Sequence, residues 1–413
     1  MAATTPVQSS RRPSAPTFVQ WSRKNLFPNW YNSVLSIIFG ALFVWLGFSL
    51  FRWILVTADW EIVIRNLTLF MVGQFPRDEL GRQVGSIILI AAAIGLLAGA
   101  ATANARARAM EAGLPFDIST PRDWLQRFWP MLLLVVILLS LTRTITPTLM
   151  TIAALVVGVA ARYLGLYLPS AARRRASLIF AVLVVAAVLV LWGFGGVPPD
   201  RWGGLHLTFV LTVSGIVLAF PLGLMLALGR RSTLPAVRLL SVTYIEFIRG
   251  VPLITLLLMG IFALGFMLPP GVDPSSFVRI LVAITLFEAA YLAENVRGGL
   301  QGVPKGQTEA AQAVGLAPWK TMRLIVLPQA LRSVIPAMVG QFISLYKDTS
   351  LVYIVGITDV LYVSKLVNAQ PEFFGQGLSR VTLPFVGLIY WVGSYTMSRE
   401  SRRLEKKLGV GER

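Results

Sequence analysis

An all-helical, polytopic membrane protein is the fold class the sequence predicts, and three observations carry it. Of 413 residues, 55% belong to the apolar class and only 14% are charged, against about 25% charged in ordinary soluble chains. Mean hydropathy is +0.70, and a soluble chain of this size has too little interior to hide so much apolar surface. Basic residues, finally, sit in short clusters between long apolar runs, as in the inside loops of membrane proteins.

Each bilayer-crossing helix needs roughly 20 apolar residues, within a range of about 17–25. Runs that meet or approach this lie at 33–56, 84–103, 129–141, 148–168 and 176–195, then at 207–228, 240–268, 277–298, 334–355 and 382–397. The third is short and the last is marginal; both make the charge pattern consistent. With the N-terminus inside, Arg11, Arg12, Arg23 and Lys24 are cytoplasmic with no acidic residue among them. Later inside loops hold Arg106, Arg108, Arg122 and Arg127, then Arg173, Arg174 and Arg175, then Arg230, Arg231 and Arg238. Lys305, Lys320, Arg323 and Arg332 follow, and the tail carries Arg399, Arg402, Arg403, Lys406 and Lys407. Outside loops hold Asp59, Glu61, Asp78 and Glu79 against three arginines. About ten spans with both termini cytoplasmic satisfy the positive-inside bias; eight would do so too, so the expectation is eight to ten. Segment 60–71 is amphipathic and reads either as a helix along the outer interface or as a short packed helix.

Composition also excludes. The net charge of +18 (37 Lys and Arg against 19 Asp and Glu) would suit nucleic acid only if gathered on one soluble face; no nucleic-acid partner is expected. With no cysteine and a single histidine, disulfides, thiolate or multi-histidine metal sites and Cys nucleophiles are excluded. That histidine, His206, lies at the outer end of a span and reads as a packed polar residue. No Gly-x4-Gly-Lys-[Ser/Thr] phosphate loop occurs, so the chain is not expected to hydrolyse ATP. The polar, basic N-terminal stretch has no apolar core or cleavage pattern and is not expected to be a cleaved signal peptide.

One loop differs from the others. Between the eighth and ninth runs, Pro304 opens a short helix, Gly315 supplies a left-handed stop, and Pro318 opens a second helix. Trp319, Met322 and Ile325 recur at three-residue spacing, so an apolar ridge projects from one side. Pro328 is expected to end the hairpin, leaving a helical elbow with a small-residue surface at Ala310 and Ala311 that suits a groove on another protein.

The residues Glu309-Ala310-Ala311, Gly315 and Ile325-Val326-Leu327-Pro328 resemble, at every fixed position, the EAA loop of ATP-binding-cassette importer permeases. Trp202-Gly203-Gly204, the Arg249-Gly250-Val251-Pro252 run within 246–253, and segments 289–299 and 347–351 extend the likeness to the polar amino acid permeases. Pro28-Asn29-Trp30-Tyr31-Asn32 and the long N-terminal half are similar to the general L-amino acid permease branch. One departure is Ala317, where a capping Ser or Thr is commoner, at a cost of about 1 kcal/mol in local helix stability. The resemblance implies a C-terminal five-helix, type I permease core at 201–398, with the coupling loop at 302–333. A transmembrane extension at 33–200, a cytoplasmic segment at 1–32 and a basic tail at 399–413 complete the division. It implies that Glu309, Ala310, Ala311, Gly315, Trp319, Met322, Ile325, Leu327 and Pro328 couple to an ATPase subunit. Implied partners are an ATPase dimer that holds ATP and Mg, a second homologous permease and an extracytoplasmic amino-acid-binding protein. This chain itself is expected to bind no cofactor, and the basic tail is expected to touch anionic lipid headgroups.

An ionisable group at the bilayer centre costs about 2.5–3.5 kcal/mol on insertion scales and asks for a partner or a water-lined cavity. At ~1.5 Å per helical residue, Arg249 lies about 13 Å in, Glu288 about 16 Å, and Lys347 and Asp348 about 20 Å. Glu246 and Glu294 lie nearer the cytoplasmic side. Pro252 removes a backbone hydrogen bond and clashes with the preceding turn, so the helix should break beside Arg249, and transporters bind substrate carboxylates at such breaks. Arg249 is thus read as meeting an amino acid's carboxylate and Glu288 its ammonium, with Tyr291 one turn away lining the pocket. The alternative pairs Glu246 with Arg249 and puts Lys347 and Asp348 in a structural network. A stand-alone secondary transporter or channel is the competing function, but it leaves the elbow unexplained; an intramembrane enzyme lacks any nucleophile–base or metal constellation.

Overall fold

The computed structural model describes residues 17–113, 115, 121–141, 145–193 and 196–408; Arg11, Arg12 and the last five residues of the tail lie outside them. The chain divides into one unit up to Asp59 and another from Trp60 onward. Among the described residues no β-strand forms; the one extended pairing is an isolated bridge between Gly204 and Asp359.

In the first unit, α1 (Phe18–Asn25) starts at Thr17, whose side chain and that of Gln20 cap each other's backbone, satisfying two of the orphan amides at a helix start. Asn29 caps α2 (Trp30–Arg52), which continues through a wider π-turn to Thr57. No residue of α2 is buried.

The second unit begins with α3 (Glu61–Arg65) and α4 (Leu67–Val72). Ile62, Val63, Leu67 and Phe70 are fully or almost fully buried, and Phe70 meets Phe385 edge-on at 5.1 Å. Segment 60–71 is therefore the packed alternative, not an interfacial helix. Next come α5 (Leu80–Glu111), α6 (Pro121–Leu141), α7 (Ile145–Tyr167), α8 (Ser170–Arg174) and α9 (Ala176–Trp192). Gly95 and Gly99, four apart on α5, admit the backbone of α7 at Gly158 and Arg162, a small-xxx-small contact that lets two membrane helices approach closely. The α6 helix kinks at Phe128, two residues before Pro130, and Arg127 ion-pairs with Glu400.

The remainder is the bundle that positions the site. Its helices are α10 (Gly204–Arg230), α11 (Pro235–Gly250), α12 (Leu253–Leu258), α13 (Leu264–Met267) and α14 (Ser276–Gly302). They are followed by α15 (Lys305–Ala313), α16 (Pro318–Thr321), α17 (Leu327–Asp348), α18 (Val360–Asn368) and α19 (Ser379–Leu408). The central pair is α10 against α14, with α17 packed on α14 and α19 on α17. Leu211, Ile280, Ile284, Ala290 and Leu345 lie in the core between them. At the end opposite the EAA loop, His206 is enclosed by Phe75 and Trp202, the packed position expected of it. There the Thr358 carbonyl accepts from Gly204 N–H at 2.7 Å. Buried Asp359 caps α18 by accepting from the amides of Tyr362 and Leu361, and accepts from the Tyr390 hydroxyl at 3.1 Å.

The run 240–268 is not one straight span: α11 and the helix after it meet at 104°. Val251 and Pro252 adopt extended backbone, as proline demands of the residue before it, so the break expected beside Arg249 is present. Pro328, by contrast, does not end the elbow. A π-turn at Met322–Val326 passes directly into α17; its wider ring, with Leu327 N–H reaching the Met322 carbonyl, accommodates a proline that an unbroken α-helix would not. Six described helices are long and apolar enough to cross a membrane, or seven if the bent pair is one span; 125–137 and 176–192 are shorter apolar helices.

Candidate functional site

The EAA loop is a helical hairpin whose turn is set by Gly315 at φ +82°, a left-handed conformation costly for any residue with a Cβ. Ala317 begins α16 with no side-chain cap, as its identity dictates. The two alanines expected to form one docking surface divide: Ala310 is exposed and Ala311 is buried. They are successive residues about 100° apart on the helix, so one faces out when the other faces in. The expected ridge divides as well. Trp319 is 58% exposed with the Arg323 guanidinium 5.4 Å from its ring, while Met322 packs on the cluster of Ala293, Val296 and Val326. Ile325 and Leu327 are half-buried; Pro328 and Glu309 are exposed. Met322 turns inward because the π-turn that starts there alters the periodicity on which the three-residue spacing relied. Val314 and Leu324, which the sequence reading missed, are 77% and 59% exposed and complete the hairpin's apolar surface with Trp319. Val314's place beside the glycine stop was the available signal.

The buried charges form two groups. Glu294 on α14 faces three arginines: Arg297 bonds it through Nε at 2.9 Å, and Arg230 and Arg249 each approach to 3.7 Å. Arg230 also donates to Glu246 at 2.8 Å, and Arg249 lies 5.7 Å from the centre of the Tyr291 ring. Arg249 meets Glu294 rather than Glu246, so the alternative pairing within α11 is not formed. Break geometry explains this: with α11 ending at Gly250, the Arg249 side chain reaches across to α14 one to two turns past Glu288, where Tyr291 and Glu294 share a face. Arg230 and Arg297 were missed as members; Arg297 was legible, being three residues after Glu294.

Glu288 belongs to the second group. It is fully buried and accepts from Gln341 Nε2 at 3.3 Å, while its other oxygen has no partner among the described residues. Asp348 accepts from the Ser344 hydroxyl at 3.2 Å, and Lys347 is exposed. Gln341, on the facing helix α17, was not foreseen, and nothing local in the sequence marks it.

Residues 219–408 match the family described as binding-protein-dependent transport system inner membrane component. The chain is similar to the inner membrane amino-acid ABC transporter permease protein YhdY of Escherichia coli (strain K12), at 34% identity over 417 residues, covering 95% of this chain and 93% of that one. The chain belongs to the ABC transporter permeases. The permease also matches the glutamate/glutamine/aspartate/asparagine transport system permease protein BztC of Rhodobacter capsulatus, at 46% identity over 51% of this chain and 49% of BztC. Among solved structures it aligns with a crystal structure of an amino acid ABC transporter with histidines at 28% identity, over 49% of this chain and 92% of that one, with a TM-score of 0.45. Its relatives place it among the polar amino acid permeases, and it is a multi-pass membrane protein.

Proposed function

We propose that this permease is the membrane subunit through which an ATP-driven, binding-protein-dependent importer moves amino acids, with the EAA hairpin as the contact for its ATPase. The observation that carries this reading is the hairpin itself: it leaves Trp319, Val314 and Leu324 uncovered and passes without a stop into α17. A push on α16 is therefore carried along a rod into the helix that touches Glu288 through Gln341. Hydrolysis of ATP, with its Mg, belongs to the ATPase dimer in this scheme; a second permease completes the path and an external binding protein delivers substrate. The topology that fits is about ten spans with both termini cytoplasmic. The shorter apolar helices, and the apolar part of α19, cross as members of the bundle.

The substrate path runs along α11, α14 and α17. Glu288, with one buried oxygen unpartnered, faces the amino acid's ammonium. Arg249 offers its guanidinium to the carboxylate by exchanging Glu294, and Tyr291 is the shared wall. Glu246, Lys347 and Asp348 set the charge on either side of that path. A secondary transporter or channel would need neither the uncovered hairpin nor the family's partners.

The chain has no native cysteine, which makes the decisive test clean. A single cysteine replacing exposed Ala310 should cross-link the ATPase subunit in membranes, and Trp319→Ala should cut ATPase co-purification about tenfold with the permease still folded. No cross-link from Ala310, or undiminished co-purification of the Trp319 variant, would sink the proposal.

A further inference from the structure

A cavity of about 410 Å³ opens beneath the coupling hairpin, between α15 and the ends of α10 and α14. Its volume falls within the roughly 300–1,000 Å³ of ordinary ligand pockets. Leu300, Val303, Met322 and Val326 supply apolar lining, and Arg231, Lys305, Gln301 and Gln312 supply polar lining. Two cations line the cavity and no carboxylate does. The neighbouring arginines are satisfied elsewhere, Arg230 by Glu246 and Arg297 by Glu294. Arg231 reaches only the Leu300 carbonyl, at 3.5 Å, and neither it nor Lys305 has an ion pair among the described residues.

We propose that this cavity is a binding site for a phosphate-bearing anion. A planar guanidinium fork, an ammonium and two amide side chains match the oxygens of a phosphate. Depth points to the source. Arg231 follows the last residue of α10, and Leu300 and Gln301 lie in the last turn of α14; both helices are candidate spans, so this lining sits where headgroups sit. Basic pockets between membrane helices at that level take anionic headgroups, and the apolar lining suits the start of a phospholipid's acyl chains. Free phosphate shares the chemistry but has no use for that apolar lining.

The site has a mechanical consequence, which rests on the reading of the hairpin as the ATPase contact. Only one side-chain hydrogen bond, Gln329 to Gln307 at 3.2 Å, joins α15 to α17 among the described residues. An anion bridging Arg231 at the end of α10 and Lys305 on α15 braces the lever against the bundle.

Full-length permease in neutral detergent, titrated with phosphatidylglycerol or phosphatidylcholine and read by native mass spectrometry, tests the site. Phosphatidylglycerol should be retained over phosphatidylcholine, by about fivefold less for each cation removed in Arg231→Gln and Lys305→Gln. The charge-keeping pair Arg231→Lys and Lys305→Arg should restore retention, which separates lost charge from lost fold. Protection of the site by inorganic phosphate with no preference between lipids would keep the phosphate chemistry and assign the soluble source. Equal retention by wild type and the double Gln variant, or no binding of either lipid or of phosphate, overturns the proposal. ATPase co-purification of wild type is measured in parallel. Its failure with lipid retained sinks the coupling reading alone; its success without anion binding sinks this one.

Discussion

Helices α2 and α14 are alike on paper and opposite in the molecule. With its π-turn, α2 spans 28 residues and α14 spans 27, and both are apolar enough to cross a bilayer, yet 56% of the most apolar stretch of α14 is buried and 0% of that of α2. The difference lies in small and polar residues. Ala283, Ala289, Ala290, Ala293 and Gly299 let neighbouring backbones approach α14, and Glu288 and Glu294 bond it to Gln341 and to arginines. On α2, Phe39, Phe43, Trp45, Phe48 and Phe51 stand out into the surroundings. Lipid tails are as apolar as leucine, so apolar character alone gives membrane helices no reason to associate; close packing and polar contacts do.

Glycine substitutions break this comparison most sharply. A Cβ at Gly299 would stand 2.5 Å from the Ala330 carbonyl oxygen and 2.6 Å from Val334, whereas one at Gly47 would meet nothing within 4 Å. Gly299→Val should therefore push α14 off α17 at a cost at or above the top of the about 1–3 kcal/mol range for overpacking, seen as loss of monodisperse protein in detergent. Gly47→Val should leave thermal stability of the purified chain unchanged. Equal damage from the two would mean that α2 has a protein surface of its own.

Helix class and the helical hairpin around Gly315 were legible because both are local: apolar runs, a glycine at a left-handed turn and prolines at helix starts write themselves into short windows. The break at Val251–Pro252 was legible for the same reason. What escaped was non-local or depended on periodicity. The partner of Arg249 is decided by where α11 stops relative to α14, and Gln341 meets Glu288 only because α17 packs there. The π-turn at Met322–Val326 shifts every later side chain on the helix, which is why Pro328 was misread as a stop. The Gly95–Gly99 contact did have a local signature and was passed over as ordinary apolar sequence.

The rule that polar groups hold helices together extends beyond the spans, and Asp359 sharpens it. Burial raises its carboxyl to about 6, against the opposing pull of the Tyr362 and Leu361 amides and the Tyr390 hydroxyl. An unfolded aspartate titrates near 3.9, so between those values the folded chain keeps a proton that the unfolded chain releases. The resulting stabilisation, roughly 3 kcal/mol, is complete below about pH 4 and is lost as pH rises through 6. Thermal midpoints in detergent should fall between about pH 4 and 6 for wild type and stay flat for Asp359→Asn, which keeps an oxygen for the α18 cap. A slope that survives in the Asn variant would assign the dependence to another group.

The smallest effect separates a working ion pair from a decorative one. Glu294 lies within 4 Å of Arg230, Arg249 and Arg297 together, at the half-buried foot of α14. Removing its charge leaves Arg249 and Arg297 without the carboxylate they share, beside an Arg230 that keeps Glu246, where solvent screens them only in part, so Glu294→Gln should lower stability by about 1–2 kcal/mol. Glu372 pairs with Arg65 at 3.0 Å, but both side chains stand in solvent, where an ion pair gains little and salt screens what remains. Glu372→Gln should therefore leave the thermal midpoint where it is. Raising ionic strength should narrow the gap between the two variants without closing it, because the Glu294 site is partly shielded from ions; a gap that vanishes in high salt would place Glu294 at the surface in function, whatever its position in the bundle.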